Sequence, residues 1–167
     1  MTVPRFPLIE EPGEWDELTL VVATTFLEAE GEPDDGKLAV AYVIENRRGA
    51  TKTAHQVILG ADGRAYEDGK PYEAWSCWND NERVRARARL SAASDASREA
   101  CWRAAAAARW RLLPDPTAGA TMYLNVSLTL KIRGGTLPAW AAAPGQPATL
   151  DESRVLAVIG RHHFLKA

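Results

Sequence analysis

Cysteine is almost missing from this chain: Cys77 and Cys101 are the only two in 167 residues. Two thiols allow one disulfide and demand none, which excludes a disulfide-built scaffold. Neither a Cys-x-x-Cys nor a His-Glu-x-x-His pattern occurs, and the only histidines are His55, His162 and His163. No structural zinc site and no cofactor are therefore expected. Long apolar runs are absent too. Without about eighteen consecutive apolar residues, no membrane-spanning helix is expected. Charge of one sign is lacking as well, with 20 Lys and Arg against 22 Asp and Glu and a formal net charge of −2. That balance gives no general pull toward nucleic acid or an anionic membrane. Internal repeats are absent, and the one low-complexity piece is the alanine run 104–108.

What is present is an ordinary globular composition, 46% hydrophobic and 25% charged, in a length that suits one domain with a proper core. Pro4, Pro7, Pro12 and Gly13 make residues 1–13 an extended arm over the surface, leaving 14–167 as a single domain. Leu18, Val21, Val22, Thr25 and Ala29 recur at helical spacing, so 16–30 reads as an amphipathic helix, with Gly31 at its C′ position and Pro33 beyond. Asp34 or Asp35 offers an N-cap for a second helix, 36–48, apolar on every side in its middle and ended by Gly49. A short helix is expected over 54–59, then a long loop over 60–80, a length that usually signals function. The Ala- and Arg-rich stretch 81–113 reads as helical, broken near 91–97 with Ser94 or Asp95 capping the second part. Arg83, Arg85, Arg87 and Arg89 read as a solvated face. Trp102 and Trp110 are expected to pack along the helix. Short strands are expected over 120–126 and 154–160, with a loop between. The layout is α+β, mainly helical, with a small β element near the C-terminus.

Glu28 falls at the edge of the apolar face of the first helix. A carboxylate near apolar surroundings tends toward a raised pKa, and a raised pKa suits a general acid near neutral pH. A glutamate in the last turn of a helix is more often a surface residue, so the surroundings must decide.

Four segments supply those surroundings. They are Glu28-Ala29-Glu30-Gly31-Glu32-Pro33 with Val40 to Arg47, which ends in the Asn46-Arg47 pair; Trp75-Ser76-Cys77-Trp78-Asn79-Asp80; Asp115-Pro116-Thr117-Ala118-Gly119-Ala120-Thr121-Met122-Tyr123-Leu124-Asn125; and Ile159-Gly160-Arg161-His162-His163-Phe164. In this order they resemble the cell-wall hydrolase family typified by the spore-cortex-lytic enzyme SleB, over residues 18–166. The resemblance implies a lysozyme-like helical fold and action on peptidoglycan glycan strands. On that correspondence Glu28 is the catalytic glutamate. Glu32, Ser76, Tyr123, Asn125 and His162 are site residues, the histidine being His162 rather than His163. Glu30 departs from the pattern, standing where many members carry a basic residue. No peptidoglycan-binding repeat accompanies the domain.

The chemistry implied is cleavage of the MurNAc–GlcNAc bond, as a lytic transglycosylase in which one glutamic acid serves as acid and then base. A hydrolytic muramidase would need a second carboxylate, for which Asp80, Glu32 and Glu30 are the candidates. Trp75, Trp78, Tyr123 and Trp140 offer flat faces for sugar rings, or else pack in the core. Asn125, Asn79 and Ser76 are polar enough to bond N-acetyl and hydroxyl groups. His162 is either a satisfied structural residue or a member of the cleft. Two rival readings stay open: a Cys77–His162 peptidase or amidase, and a non-catalytic glycan-binding or phage structural module. The expected partner is the peptidoglycan strand, with no nucleic acid and no stable membrane insertion. Residues 1–12 lack the apolar segment of a signal peptide. The expected route to the wall is therefore a holin, a phage tail or a dedicated secretion system.

Overall fold

Asp16 caps the first helix, its side chain accepting from the Thr19 amide at 2.9 Å. In the computed structural model, which describes residues 5–8, 10–59, 75–78 and 82–166, that helix is α1, Glu17–Ala29. It is buried along almost its whole length from Leu20 to Ala29, with Glu28 the one half-exposed position. The expected C′ role of Gly31 is not what ends it. The C-cap Glu30 keeps right-handed helical angles (φ −52°, ψ −44°), and Gly31 has no positive φ. The turn into the next helix is instead held by the Lys37 ammonium, which donates to the Glu32 carbonyl.

Helix α2, Asp34–Arg48, begins two residues before the expected start, with Pro33 rather than an aspartate as N-cap. Proline lacks the N–H that a cap would leave idle, and Asp34 and Asp35 complement the helix dipole from within the first turn. Residues 39–45 are all buried, so α2 is the central helix. Gly49 closes it at φ +56°. Helix α3, Ala54–Ile58, opens with a capping box between Thr53 and Gln56. A single 3-10 turn, Ser76–Trp78, is the described part of the expected 60–80 loop. Next come α4, Arg83–Ala92, and α5, Asp95–Arg109, with Ser94 as the N-cap of α5. The alanines 104–108 are buried, and their small side chains let α5 lie close against α1 and α2.

Two expectations change along this stretch. Trp110 is 56% exposed, because α5 stops at Arg109 and the chain turns away through Arg111 at φ +52°. Trp102 does pack against the core. The α4 arginines are not merely solvated. Arg87 pairs with Glu11 at 2.7 Å and Arg89 with Glu30 at 3.0 Å. With Phe6 buried 6.3 Å from the Phe26 ring, the Glu11 contacts fasten the N-terminal arm to the helices.

The C-terminal part carries more structure than the expected strands. Strand β1, Met122–Leu124, leads into a helix, α6, Val126–Ile132. A hairpin of β2, Ala142–Ala143, and β3, Gln146–Leu150, follows, and then β4, Val155–Ile159, and β5, His162–Leu165. The sheet order is β1-β5-β4, all antiparallel, with Tyr123 opposite Phe164 and Ile159 opposite His162. Alternation along β5 sends Phe164 into the main helical core and Leu165 into a smaller core with Leu124, Leu137 and Leu150. Within the described residues this is a mainly helical α+β architecture.

An ion pair on a buried carboxylate clasps the sheet to the turn between α1 and α2. Glu32, 5% exposed, receives the Arg161 guanidinium at 2.8 Å and 2.7 Å. A Cβ on Gly160, which sits at φ +57°, would lie 2.2 Å from the Glu32 carboxylate, and one on Gly36 would lie 2.7 Å from Glu32 Cβ. Glycine is required at 160 for both conformation and space. Gly160→Ala should therefore lose about 2–4 kcal/mol in urea unfolding. The control Gly134→Ala, at φ +64° with nothing nearby, should lose about 1 kcal/mol.

Candidate active site

A cleft of about 720 Å³ separates the helical body from the β lobe. The ends of α1 and α2, the 75–77 segment and α4 form one wall. Strand β1, α6 and the Pro138–Trp140 segment form the other. Glu28 enters it from the last turn of α1, and the Tyr123 hydroxyl donates to Glu28 Oε2 at 2.7 Å across the cleft floor. Burial and the adjacent Glu28 charge push the Tyr123 phenol well above its ordinary pKa, so it stays a donor. The Cys77 thiol also hydrogen-bonds to Glu28, and burial together with that carboxylate raises its pKa well above the ordinary value. A thiol held this way is not the thiolate that a cysteine peptidase needs. Cys77 and Cys101 are both free thiols.

The structure sorts the sequence-predicted residues into three groups. Glu28, Trp75, Ser76, Tyr123, Asn125, Trp140 and His162 line the cleft. Trp75 is both core and wall, 3% exposed and tilted against Tyr123 at 5.4 Å between ring centres. Its indole N–H is buried without a hydrogen-bond partner among the described residues. Asn125 has a second task as the N-cap of α6, accepting from the Leu128 amide at 3.0 Å.

Trp78, Glu32 and Glu30 do not reach the cleft wall. Trp78 is core: it meets Trp15 edge-on at 5.7 Å and donates its N–H to Thr24 Oγ1 at 2.9 Å. Glu32 is spent on Arg161, and Glu30 turns outward to Arg89. Asp80 and Asn79 lie outside the described residues.

His162 stands edge-on to Tyr123, 5.3 Å between ring centres. Burial lowers its pKa, aided by the Arg161 and His163 charges and opposed by Glu32 and Glu28. It is thus neutral at pH 7, and its 3.9 Å separation from Glu32 is not an ion pair. Burial alone would raise the Glu32 pKa, but the Arg161 hydrogen bonds and the His162 and Arg161 charges bring it below its ordinary value.

Several lining residues carried no sequence signal of their own. Glu82, a second carboxylate on the wall, is paired to Arg85 at 3.8 Å. By contrast Arg47, from the Asn46-Arg47 pair of the resemblance, lies over the Trp75 ring at 5.7 Å and donates to Met122 Sδ. The α6 residues Leu128, Thr129, Ile132 and Arg133 form much of the far wall. A recognised turn at Asn125 would have exposed that helix, since Asn followed by Val-Ser-Leu-Thr-Leu is a capped amphipathic start.

Asn46 fixes β1 in place. Its amide donates to Asp115 at 2.9 Å and to the Ala120 carbonyl at 3.0 Å. Burial works against the Asp115 charge, yet hydrogen bonds from Thr117, Asn46 and Gly119 hold its pKa below the ordinary value.

A half-open cleft with aromatic walls and a glutamate hydrogen-bonded to a phenol has the layout of a carbohydrate-binding site with acid–base capacity. A family model described as Cell Wall Hydrolase matches residues 31–165, and the chain belongs to that family. Its membership makes peptidoglycan the substrate. No curated protein and no solved structure matches. The matched stretch begins three residues after Glu28, so the place of Glu28 in the cleft rests on its own geometry.

Asn46→Asp should lose about 2–3 kcal/mol at pH 7, since it sets a carboxylate against Asp115. The variant loses the Asn46 hydrogen bond that helps hold the Asp115 pKa below its ordinary value and gains a like charge beside it, so the pair takes up a proton more readily and the repulsion is relieved as the pH falls. Urea unfolding of the variant and wild type at pH 7 and near pH 3 should show the gap narrowing only at the lower pH.

Proposed function

We propose that this chain is a lytic transglycosylase that cleaves the MurNAc–GlcNAc bond, with Glu28 as the acid and then the base. The observation that carries the reading is the state of Glu28. Among the described residues two carboxylates line the cleft: Glu28 meets the neutral donors Tyr123 and Cys77, whereas Glu82 pairs with Arg85. Tyr123 occupies Oε2, which leaves Oε1 to carry the proton. That proton passes to the glycosidic oxygen as the bond to C1 of the muramic acid breaks. The carboxylate then takes the proton of the sugar's 6-hydroxyl, whose oxygen closes on C1 to give a 1,6-anhydro ring. No water enters, so no second carboxylate is required. The rings of Trp75 and Trp140 supply apolar faces for the sugars.

Glu82 supports a second reading, a hydrolytic muramidase, because it is a carboxylate on the same cleft. Its pairing with Arg85 disfavours that role. Mass spectrometry of digested peptidoglycan separates the two: 1,6-anhydromuramic ends are expected, and reducing-end N-acetylmuramic acid would overturn the transglycosylase assignment. Delivery to the wall by a holin, a phage tail or a dedicated secretion route is part of the same proposal.

Glu28→Gln should lower clearing of a peptidoglycan suspension about a thousand-fold with an unchanged circular dichroism spectrum. Equal clearing by the variant and wild type would remove Glu28 from the chemistry. Tyr123→Phe should lose about ten-fold in kcat with KM little changed. Cys77→Ser, which keeps a donor beside Glu28, should stay active. Its complete loss alongside an active Glu28→Gln would restore the cysteine peptidase reading.

A further inference from the structure

A second groove, of about 480 Å³, lies on the other side of α6 and shares Asn125 and Leu128 with the main cleft. Its floor is the opposite face of β5: His162 points into the cleft, whereas His163 points into the groove. Among the described residues its charged and titratable lining consists of Lys131, Arg161 and His163, with no carboxylate on the wall. Glu32 sits behind Arg161, offsetting part of its charge through Nε and Nη2. Lys131 forms no ion pair among the described residues and stands exposed on α6. The groove is thus an anion-favouring channel that runs directly from the cleft.

Continuity with the cleft decides what anion belongs there. A glycan strand lying in the main cleft carries a peptide on each muramic acid, and that peptide bears free carboxylates. We propose that this groove receives the stem peptide of the muramic acid bound beside Glu28, with Lys131 and Arg161 facing its carboxylates. The inference rests on the peptidoglycan reading above, and it makes the enzyme selective for peptide-bearing over stripped strands.

The test uses Glu28→Gln protein, which binds without turnover. Its affinity for a soluble disaccharide–tetrapeptide is compared with that for the same disaccharide lacking peptide, by calorimetry. The peptide form should bind about five-fold tighter, and the advantage should shrink in 0.5 M salt and vanish in the added Lys131→Glu background. Lys131→Glu should bind the bare disaccharide as before, which shows that it folds. Equal affinity for the two ligands, or an equal loss for both in Lys131→Glu, overturns the groove. On whole peptidoglycan, Lys131→Glu in the wild-type background should raise KM on peptide-bearing strands and leave turnover of amidase-stripped strands unchanged. A wild type active on both substrates alike sinks the peptide site alone, whereas a Glu28→Gln variant as active as wild type sinks the glycosidic mechanism.

Discussion

The ion pair between Glu32 and Arg161 is the contact on which the rest of the site depends. Glu32 leaves the α1–α2 turn with its carboxylate almost wholly buried, and a buried carboxylate without a partner would be strongly destabilising. The partner comes from the far end of the chain, on the turn between β4 and β5. Two glycines, Gly36 and Gly160, leave the space for it. Once Arg161 is seated, His162 and Phe164 follow at fixed positions on β5. Phe164 then sets Tyr123 through the β1–β5 register, with the two rings stacked at 5.8 Å. Tyr123 in turn reaches Glu28. A clasp at residue 32 therefore aims the phenol at residue 28.

The same economy explains why neighbouring acids differ. Glu28, Glu30 and Glu32 are spaced within five residues, yet each meets a different environment. Helical and turn geometry carry Glu30 outward to Arg89 and Glu32 down to Arg161. Glu28 alone faces the cleft, where its donors are neutral. A proton-transfer group must change charge during turnover, and a fixed guanidinium would hold it ionised. Arginine partners on the flanking glutamates leave the central one free to cycle.

Much of the fold was readable from residue pattern because it is made of local signals. Ser94 and Gly49 mark helix ends by chemistry that acts within a few residues, and the all-apolar middle of α2 announces burial. The α1–α2 turn misled because its closure is not local: Pro33 and the Lys37 ammonium do the work that Gly31 and Asp34 are typed for. Trp78 and Trp140 show the limit for site residues. Both read in the sequence as flat faces for sugar rings, but Trp78 turns into the core, where Thr24 accepts its N–H. Only Trp140 reaches the cleft. Glu82 and α6 escaped notice because what makes them lining residues is a meeting of distant segments. No spacing in the chain records it.

That dependence on distant segments also reconciles the family match with the site. The matched stretch starts at residue 31 and so omits Glu28, yet it contains nearly everything that holds Glu28 in place. Glu32 and Arg161 set the sheet, Asn46 ties down the segment before β1, Cys77 and Tyr123 supply the donors, and α6 closes the far wall. What α1 adds is a rigid, buried rod that delivers one carboxylate at its last turn. A helix buried on nearly every side has little freedom to rotate, because turning Glu28 away would swing its apolar neighbours Leu27 and Ala29 out of the core. The matched segment builds the socket and the packing of α1 fixes the angle, so the orientation of Glu28 follows from constraints at both ends of the contact.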